Sequence, residues 1–580
     1  MLQIRCKNTN VTKSFPEGTS LLDVYQEFAD DIHLPFPVVS AKVNNTSQGL
    51  KFRLYQNRDV EFLDAREGSG HRVYVRSLSF LLYKATQDVF PGSKLFIEHS
   101  LARGYYCNFK KKGAAQPQQK DTAQLTDEDV ARIKERMQEI VALDMPFRRV
   151  EATTEEVIRV FTERGFSDKV KLLETSGQIY SDYYTLGDTV DYYYGPLVPS
   201  AGYLTVWDLE RYERQRVGEQ SSGMDGMLLR VPDWNNPSQV AEKVAQPKTF
   251  DMFAEKTRWD IIMRLSNAGD VNKAIMRGNA SELIQVSEAL QEKKIVQIAE
   301  EIDRRFHREE NPVRLVLITG PSSSGKTTFC KRLSVQLLAC GLRPVSFSTD
   351  DYFVNRVDTP KLPNGDYDFD NVEAVEYKLL EEHLVRLMNG ERVEVPEYNF
   401  VTGQREWNGK RLKLANDTVL IIEGIHALNP LLTKQIPDQM KFKVYISALT
   451  SISLDDHNWI PTRDNRLLRR IIRDYNKGAF TARETISQWK NVCDAEDKWI
   501  FPFQETADAM FNSALNIEFA VLRTHAEIIL SAIPKNCPEY SEAHRLLKFI
   551  HFFLPVSDRE IPPTSIMREF VGGSSFKYDR

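Results

Sequence analysis

The 580-residue chain has only six cysteines, at positions 6, 107, 330, 340, 493 and 537, and none belongs to a C-x-x-C pair. Such scatter argues against a disulfide framework or a zinc ribbon and predicts reduced thiols. Long apolar runs are also missing. Stretches such as Phe549 to Val556 fall far short of the roughly 20 residues that cross a bilayer, so no membrane partner is expected. The opening MLQIRCKNTNVTKSF lacks a continuous apolar core, which predicts no secretory signal and a cytoplasmic location. Neither charge sign dominates. With 76 Lys and Arg against 81 Asp and Glu, the formal charge is −5, which excludes a polyanion-binding signature for the chain as a whole but not a local basic patch. No fixed-period repeat is visible. What remains is an ordinary globular balance of 42% hydrophobic and 27% charged residues, at a length that allows about three to five domains.

Along the first 65 residues, Leu2, Ile4 and Cys6 alternate as in a strand, and Val11 to Phe15 can return as the second arm of a hairpin. Ser20 and Asp23 have capping-box spacing ahead of a helical apolar stripe through Leu21, Leu22, Val24, Tyr25 and Phe28. VVSAKVN, KFRLY and DVEFLD read as further strands. A second region starts near His71, and Thr126 with Asp129 repeats the capping-box spacing. KKKGAAQPQQKDTAQ and GEQSSGMDG read as loops. Between about residues 233 and 310 the pattern turns helical, as a connecting arm. From 311 to 535 strands and helices alternate, which is the signature of a parallel sheet with crossover helices. Residues 536–580 form a C-terminal tail. The expected fold class is therefore multi-domain, with α+β parts in front and an α/β part behind.

The densest chemical signal is VRLVLITGPSSSGKTTFCKRL. A buried-type strand, Leu315 to Thr319, runs straight into Gly320, Pro321, Ser322, Ser323, Ser324, Gly325, Lys326, Thr327 and Thr328, with a helix following. This is the phosphate-loop pattern in its strand–loop–helix context. Backbone N–H groups curl around phosphate oxygens there, and the helix N-terminus adds positive potential. Lys326 is expected to reach the transferable phosphate of ATP, and the Thr327 hydroxyl to ligate Mg²⁺. Two further strands, PVSFST and TVLIIEG, end in Asp350 and Glu423. Carboxylates at that edge can polarise an acceptor hydroxyl or hold Mg²⁺ through water, and helix capping is the alternative. In TRDNRLLRRIIRDY, Arg466, Arg469, Arg470 and Arg473 recur at three- and four-residue spacings. They read either as a basic face that closes over a nucleotide or as an exposed salt-bridged helix.

Taken together, these ordered motifs resemble the uridine kinase branch of the phosphoribulokinase/uridine kinase family, from about Val313 to Leu530. The resemblance makes Asp350 the catalytic base, with Lys326 and the lid arginines Arg469 and Arg470 offsetting charge. It makes Asp370 in DFDNVEA the holder of sugar hydroxyls. PEYNFVTGQR becomes the base-binding segment, with Tyr398, Phe400 and Arg405 retained. Arg466 and Arg473 join the substrate-binding set, and Thr327 and Glu423 the metal set. The implied cofactors are ATP and Mg²⁺, and the implied partner is a small acceptor, a nucleoside by family default. One departure stands out: the family's base-reading histidine falls at Gly403. Another small hydroxylated acceptor is therefore the alternative.

FPEGTSLLDV in the front half resembles a TGS β-grasp domain (residues 1–65). Residues 66–232 resemble the editing domain of threonyl-tRNA synthetases, through RSLSFLLYKATQDVFPGSKLFIEHSLARGYYCNF and VDYYYGPLVPSAGYL. That domain's HxxxH and CxxxH positions fall at Arg76, Phe80, Tyr193 and Leu197. Phenylalanine and leucine neither ligate metal nor move protons, so hydrolytic editing is not expected. A scaffold, a homo-oligomer surface or an RNA contact remain open for this half, the last as part of a nucleotide-switched regulatory protein.

Overall fold

The structure is a computed structural model, and it describes residues 1–112, 125–212 and 226–578. The two loop stretches read from the sequence fall largely outside those residues. The chain is multi-domain, with both α+β and α/β parts. Its residues gather into two compact units, each discontinuous in sequence. One holds Met1–Gly278, Thr450–Pro461 and Glu527–Pro555, and the other Asn279–Leu449, Thr462–Ala526 and Val556–Arg580. No helix among the described residues is long and apolar enough to cross a membrane.

The first unit opens with a five-stranded mixed sheet in the order Val11–Phe15, Leu2–Cys6, Arg58–Leu63, Ser40–Val43, Thr46–Gln48. Leu2–Cys6 and Arg58–Leu63 pair in parallel, while the other neighbours are antiparallel. Helix Leu21–Phe28 buries Leu21, Val24 and Phe28, which is the grasp that the apolar stripe dictates. Ser20 and Asp23 form their capping box, as do Thr126 and Asp129. KFRLY departs from expectation. Its backbone bonds run to the stretch around the helix start, through Gly18 N to Leu54 O at 2.7 Å and Leu21 N to Phe52 O at 2.9 Å, instead of entering the sheet.

Behind it, helix Gly68–Val89 is buried along most of its length. It packs with a four-stranded sheet, Asp208–Tyr212, Gly226–Arg230, Gly104–Lys110, Lys94–Leu101, and a three-stranded one, Thr189–Asp191, Tyr180–Leu186, Phe147–Thr153. Residues 450–461 carry a buried polar knot. The Lys169 ammonium lies 3.0 Å from Asp455 and 3.1 Å from Asp191, and His457 Nδ1 is 2.7 Å from Asp191.

In the second unit the sheet is parallel throughout, in the order Arg343–Ser348, Thr418–Glu423, Leu315–Thr319, Lys441–Ser447, Ala509–Asn512. Leu315–Thr319 is buried along its whole length, as the uninterrupted LVLIT predicts for a central parallel strand. Chain order reverses around it. The crevice at the C-terminal ends of Leu315–Thr319 and its neighbours is then where a ligand binds in such sheets. Helices Ala280–Phe306 and Lys326–Ala339 cover one face, through Ile295, Ile298, Ile302, Phe329, Leu333 and Leu337.

Candidate functional site

Three strand ends deliver the chemistry to one edge of the parallel sheet. Leu315–Thr319 leads into the phosphate loop, Arg343–Ser348 into Asp350, and Thr418–Glu423 ends on Glu423. Ser323 (φ 58°) and Gly325 (φ 87°) adopt left-handed backbone, which curls the loop ahead of helix Lys326–Ala339. At Gly325 a β-carbon would also approach Ile566 Cγ2 to 2.4 Å, so glycine is needed for both conformation and space. Lys326 Nζ donates to the Gly320 and Pro321 carbonyls at 2.9 and 3.1 Å. Burial lowers its pKa, and Glu423, Glu569, Asp350 and Glu496 oppose that shift. Thr327 Oγ1 lies 3.4 Å from Glu423 Oε1.

The two acids after the second strand divide their work. Asp351 closes a capping box with Ser348, whose hydroxyl accepts from the Asp350 N–H at 3.2 Å. Capping therefore engages Asp351 and orients the turn that carries Asp350. Asp370 lies close enough to feel the charge of Asp350. Burial raises its pKa to about 6, opposed by Arg470 and reinforced by Glu496, Asp368 and Asp350.

The arginine helix, Thr462–Asn476, is not an exposed face. Arg466 and Arg469 are fully buried against Glu496 and Glu518, and they donate to the Ser322 and Ser323 carbonyls at 3.1 and 3.3 Å. Their work is to hold the loop's backbone from behind. Arg470 Nη1 reaches Ser322 Oγ at 3.1 Å, and its charge acts on Asp370. Of the four, Arg470 is therefore the one placed both on the loop and towards Asp370. Arg473 pairs with Asp474 at 3.0 Å.

Around the acceptor segment, Phe353, Tyr398 and Phe400 form a ring cluster with centroids 5.0–6.2 Å apart. Among the described residues, Arg405 Nη1 is buried without a well-formed hydrogen bond, and the Arg356 guanidinium acts on the Tyr398 phenol. Gly403 sits at φ 70°, and a β-carbon there would meet Arg356 Nε at 2.8 Å. Arg356 N donates to Gly403 O at 2.8 Å, and its guanidinium donates to Phe400 O. A guanidinium thus fills the space beside Gly403.

Several participants escaped sequence reasoning. His426 is buried, and neither ring nitrogen makes a well-formed hydrogen bond. Burial pushes its pKa down to about 4, partly offset by the Asp370 and Asn371 backbone. Its place directly after Glu423-Gly424-Ile425 was the one available signal. Glu496 accepts from Ser322 N at 2.8 Å. From the tail, Glu569 accepts from Thr328 N at 3.3 Å and Thr328 Oγ1 at 2.6 Å, and Tyr578 Oη lies 2.9 Å from that hydroxyl. These helix-start donors are the groups a phosphate oxygen uses. Glu569→Gln removes a negative charge from that terminus and is expected to tighten nucleotide binding by about three- to tenfold. Titration calorimetry against the parent chain checks this, and unchanged affinity would mean that the carboxylate does not compete.

The sequence comparisons agree with this site. The Phosphoribulokinase / Uridine kinase family matches residues 315–518. A uridine kinase of Mycoplasma genitalium is 31% identical over 178 residues, covering 31% of this chain and 74% of that protein. The chain belongs to the phosphoribulokinase/uridine kinase family. Elsewhere it is similar to threonine–tRNA ligases, at 28% over 200 residues for Marinobacter nauticus and 30% over 205 for Desulforamulus reducens. It spans 29% and 30% of the length of those two ligases. The resemblance of the front half to those synthetases is thus borne out. In the first unit Arg76, Phe80, Tyr193 and Leu197 lie close to one another. Phe80, Tyr193 and Leu197 are buried in one apolar cluster, with the Phe80 and Tyr193 ring centroids 5.7 Å apart. Arg76 donates to Pro196 O at 3.1 Å.

Proposed function

We propose that the chain is an ATP-dependent phosphotransferase that moves the γ-phosphoryl group to a primary hydroxyl of a small acceptor, with a uridine- or cytidine-like nucleoside as the leading class. The observation that carries this reading is the meeting of the phosphate loop, Asp350 and Glu423 at one sheet edge. The loop's N–H groups and Lys326 cradle the phosphates, and Asp350 takes the acceptor proton during in-line attack. Arg470 offsets charge on the transferred group. Asp370 orients acceptor hydroxyls. Arg466 and Arg469 act as positioning residues, because they touch the loop's carbonyls from behind. The Thr327 hydroxyl and Glu423 carboxylate fit Mg²⁺, an ion usually held by one or two carboxylates plus substrate phosphates. When bound, it would neutralise phosphate charge.

The test is ADP release from Mg-ATP across a panel of nucleosides and other hydroxylated metabolites. Stimulation by one acceptor supports the kinase. ATP binding without stimulation by any acceptor would instead favour a nucleotide-switched role.

A second reading keeps the kinase and changes the acceptor, and Arg356 beside Gly403 favours it. Where the family's imidazole would both donate and accept, a guanidinium only donates, so it suits a carbonyl or anionic group. Arg356→Ala is expected to raise the acceptor KM roughly ten- to hundredfold with a smaller effect on kcat, the loss of a hydrogen bond from a charged donor. Steady-state kinetics with the best acceptor checks it. An unchanged KM would place the acceptor away from Arg356.

A further inference from the structure

The first unit contains a cavity of about 800 Å³ that the phosphotransfer chemistry does not use. Every residue lining it belongs to that unit. Its size falls within the usual range for small-molecule sites. Its lining has eight lysines and arginines but only two carboxylates, Glu151 and Asp182. Those two are both engaged by Arg149, at 3.2 and 2.8 Å. Arg72 and Arg545 share the single carboxylate of Glu542. Arg76, Arg148 and Lys548 make no ion pair with any described residue.

Uncompensated cations converging on a cavity repel one another, and burial makes that repulsion costly. The titration behaviour agrees. Burial lowers the Arg76 guanidinium to about 10, with Arg72 and Arg545 adding to the shift. His544 at the same wall is lowered by burial, Lys548 and Lys535. An anion entering the cavity would offset the repulsion that Arg72 and Arg545 exert on Arg76 and that Lys548 and Lys535 exert on His544. Aromatic surface is available beside the cations, because Tyr194 and Phe52 also line the cavity and the Arg76 guanidinium lies 5.8 Å from the Tyr194 ring centroid.

We propose that this cavity binds a small phosphorylated metabolite of the nucleotide class, its phosphates between Arg76, Arg148 and Lys548 and its ring against Tyr194. A nucleic-acid strand would call for a basic surface extended beyond the cavity. Here the cations come inward from four separate segments of a chain whose overall charge is −5.

The test uses the full chain carrying Lys326→Ala, which disables the phosphate loop, titrated with ATP and with inorganic tripolyphosphate. Saturable binding of one ATP per chain is expected, weakened at least tenfold by Lys548→Gln and by Arg76→Gln. Tripolyphosphate should compete for the same site. Lys548 is open to solvent, so its variant keeps the test valid even if Arg76→Gln fails to fold. No binding in the Lys326→Ala chain, or binding indifferent to Lys548→Gln, overturns the site. A single-stranded RNA oligonucleotide that binds more tightly than ATP and displaces it overturns the small-molecule assignment. Neither result bears on the kinase reading, which the acceptor panel decides at the phosphate loop.

Discussion

Asp350→Asn is expected to lower acceptor-dependent turnover roughly 10²- to 10⁴-fold while leaving ATP binding intact, the range lost when a positioned general base is removed. The turn gives its two acids different work. Asp351 is committed to the capping box with Ser348, and Ser348 in turn fixes the Asp350 backbone at 3.2 Å. Asparagine at 350 can keep that backbone bond and nearly the same shape, yet it cannot accept a proton. Lys326→Ala is the contrasting variant. Because Lys326 is tied to the loop's own carbonyls at 2.9 and 3.1 Å, its loss should weaken ATP binding as well as turnover. Calorimetry with ATP, paired with ADP-release kinetics, separates the two. An Asp350→Asn chain that turns over at the parent rate would remove Asp350 from the role of base.

What the sequence made legible here was local. The phosphate loop, the acids at the strand ends and both front-half capping boxes depend on residues within a few positions of each other, and contiguous reading captures them. The arginine spacing was equally visible, but its meaning was not. Whether a basic helix faces water or the core depends on its partners, and Glu496 and Glu518 lie 30 and 49 positions beyond the arginines they neutralise. Glu569 reaches Thr328 across 241 positions, a separation at which no periodicity signals contact. KFRLY failed for a related reason. Its apolar and β-prone residues satisfy a strand pattern, but its backbone bonds go to the loop before a helix, and composition cannot specify that choice. Gly403 shows a third limit. A missing side chain was readable, whereas the neighbour that fills the space, Arg356, was not.

Lys169→Met should destabilise the first unit by about 3–5 kcal/mol, the usual cost of breaking a buried ion pair by removing one partner. Lys169 is fully buried. Burial works against its ammonium, but Asp191 and Asp455 outweigh that cost and hold its pKa well above the ordinary lysine value. Without it, His457 at 2.7 Å is the remaining counter-charge on Asp191 among the described residues, and three other aspartates, Asp168, Asp455 and Asp456, remain crowded nearby. Chemical denaturation followed by intrinsic fluorescence reads the loss, and an unchanged midpoint would show that the knot contributes nothing net. The same knot sets a pH trend. Burial and Asp168 raise Asp456 to about 7, so the native chain holds a proton there that the unfolded chain releases near 4. Stability from this group is therefore complete below pH ~4 and lost as pH rises through about 7. His457 acts in the same direction: burial lowers its pKa, Asp191 more than compensates, and its contribution is present below ~6.5 and fades above that. Asp191, held near 2 against burial by His457 and Lys169, acts oppositely, losing its contribution only in strong acid. Asp456→Asn should accordingly flatten the decline between pH ~4 and about 7 and leave the acid limb in place, because that limb belongs to carboxylates held below their ordinary range, Asp191 and Asp168 in this knot among them.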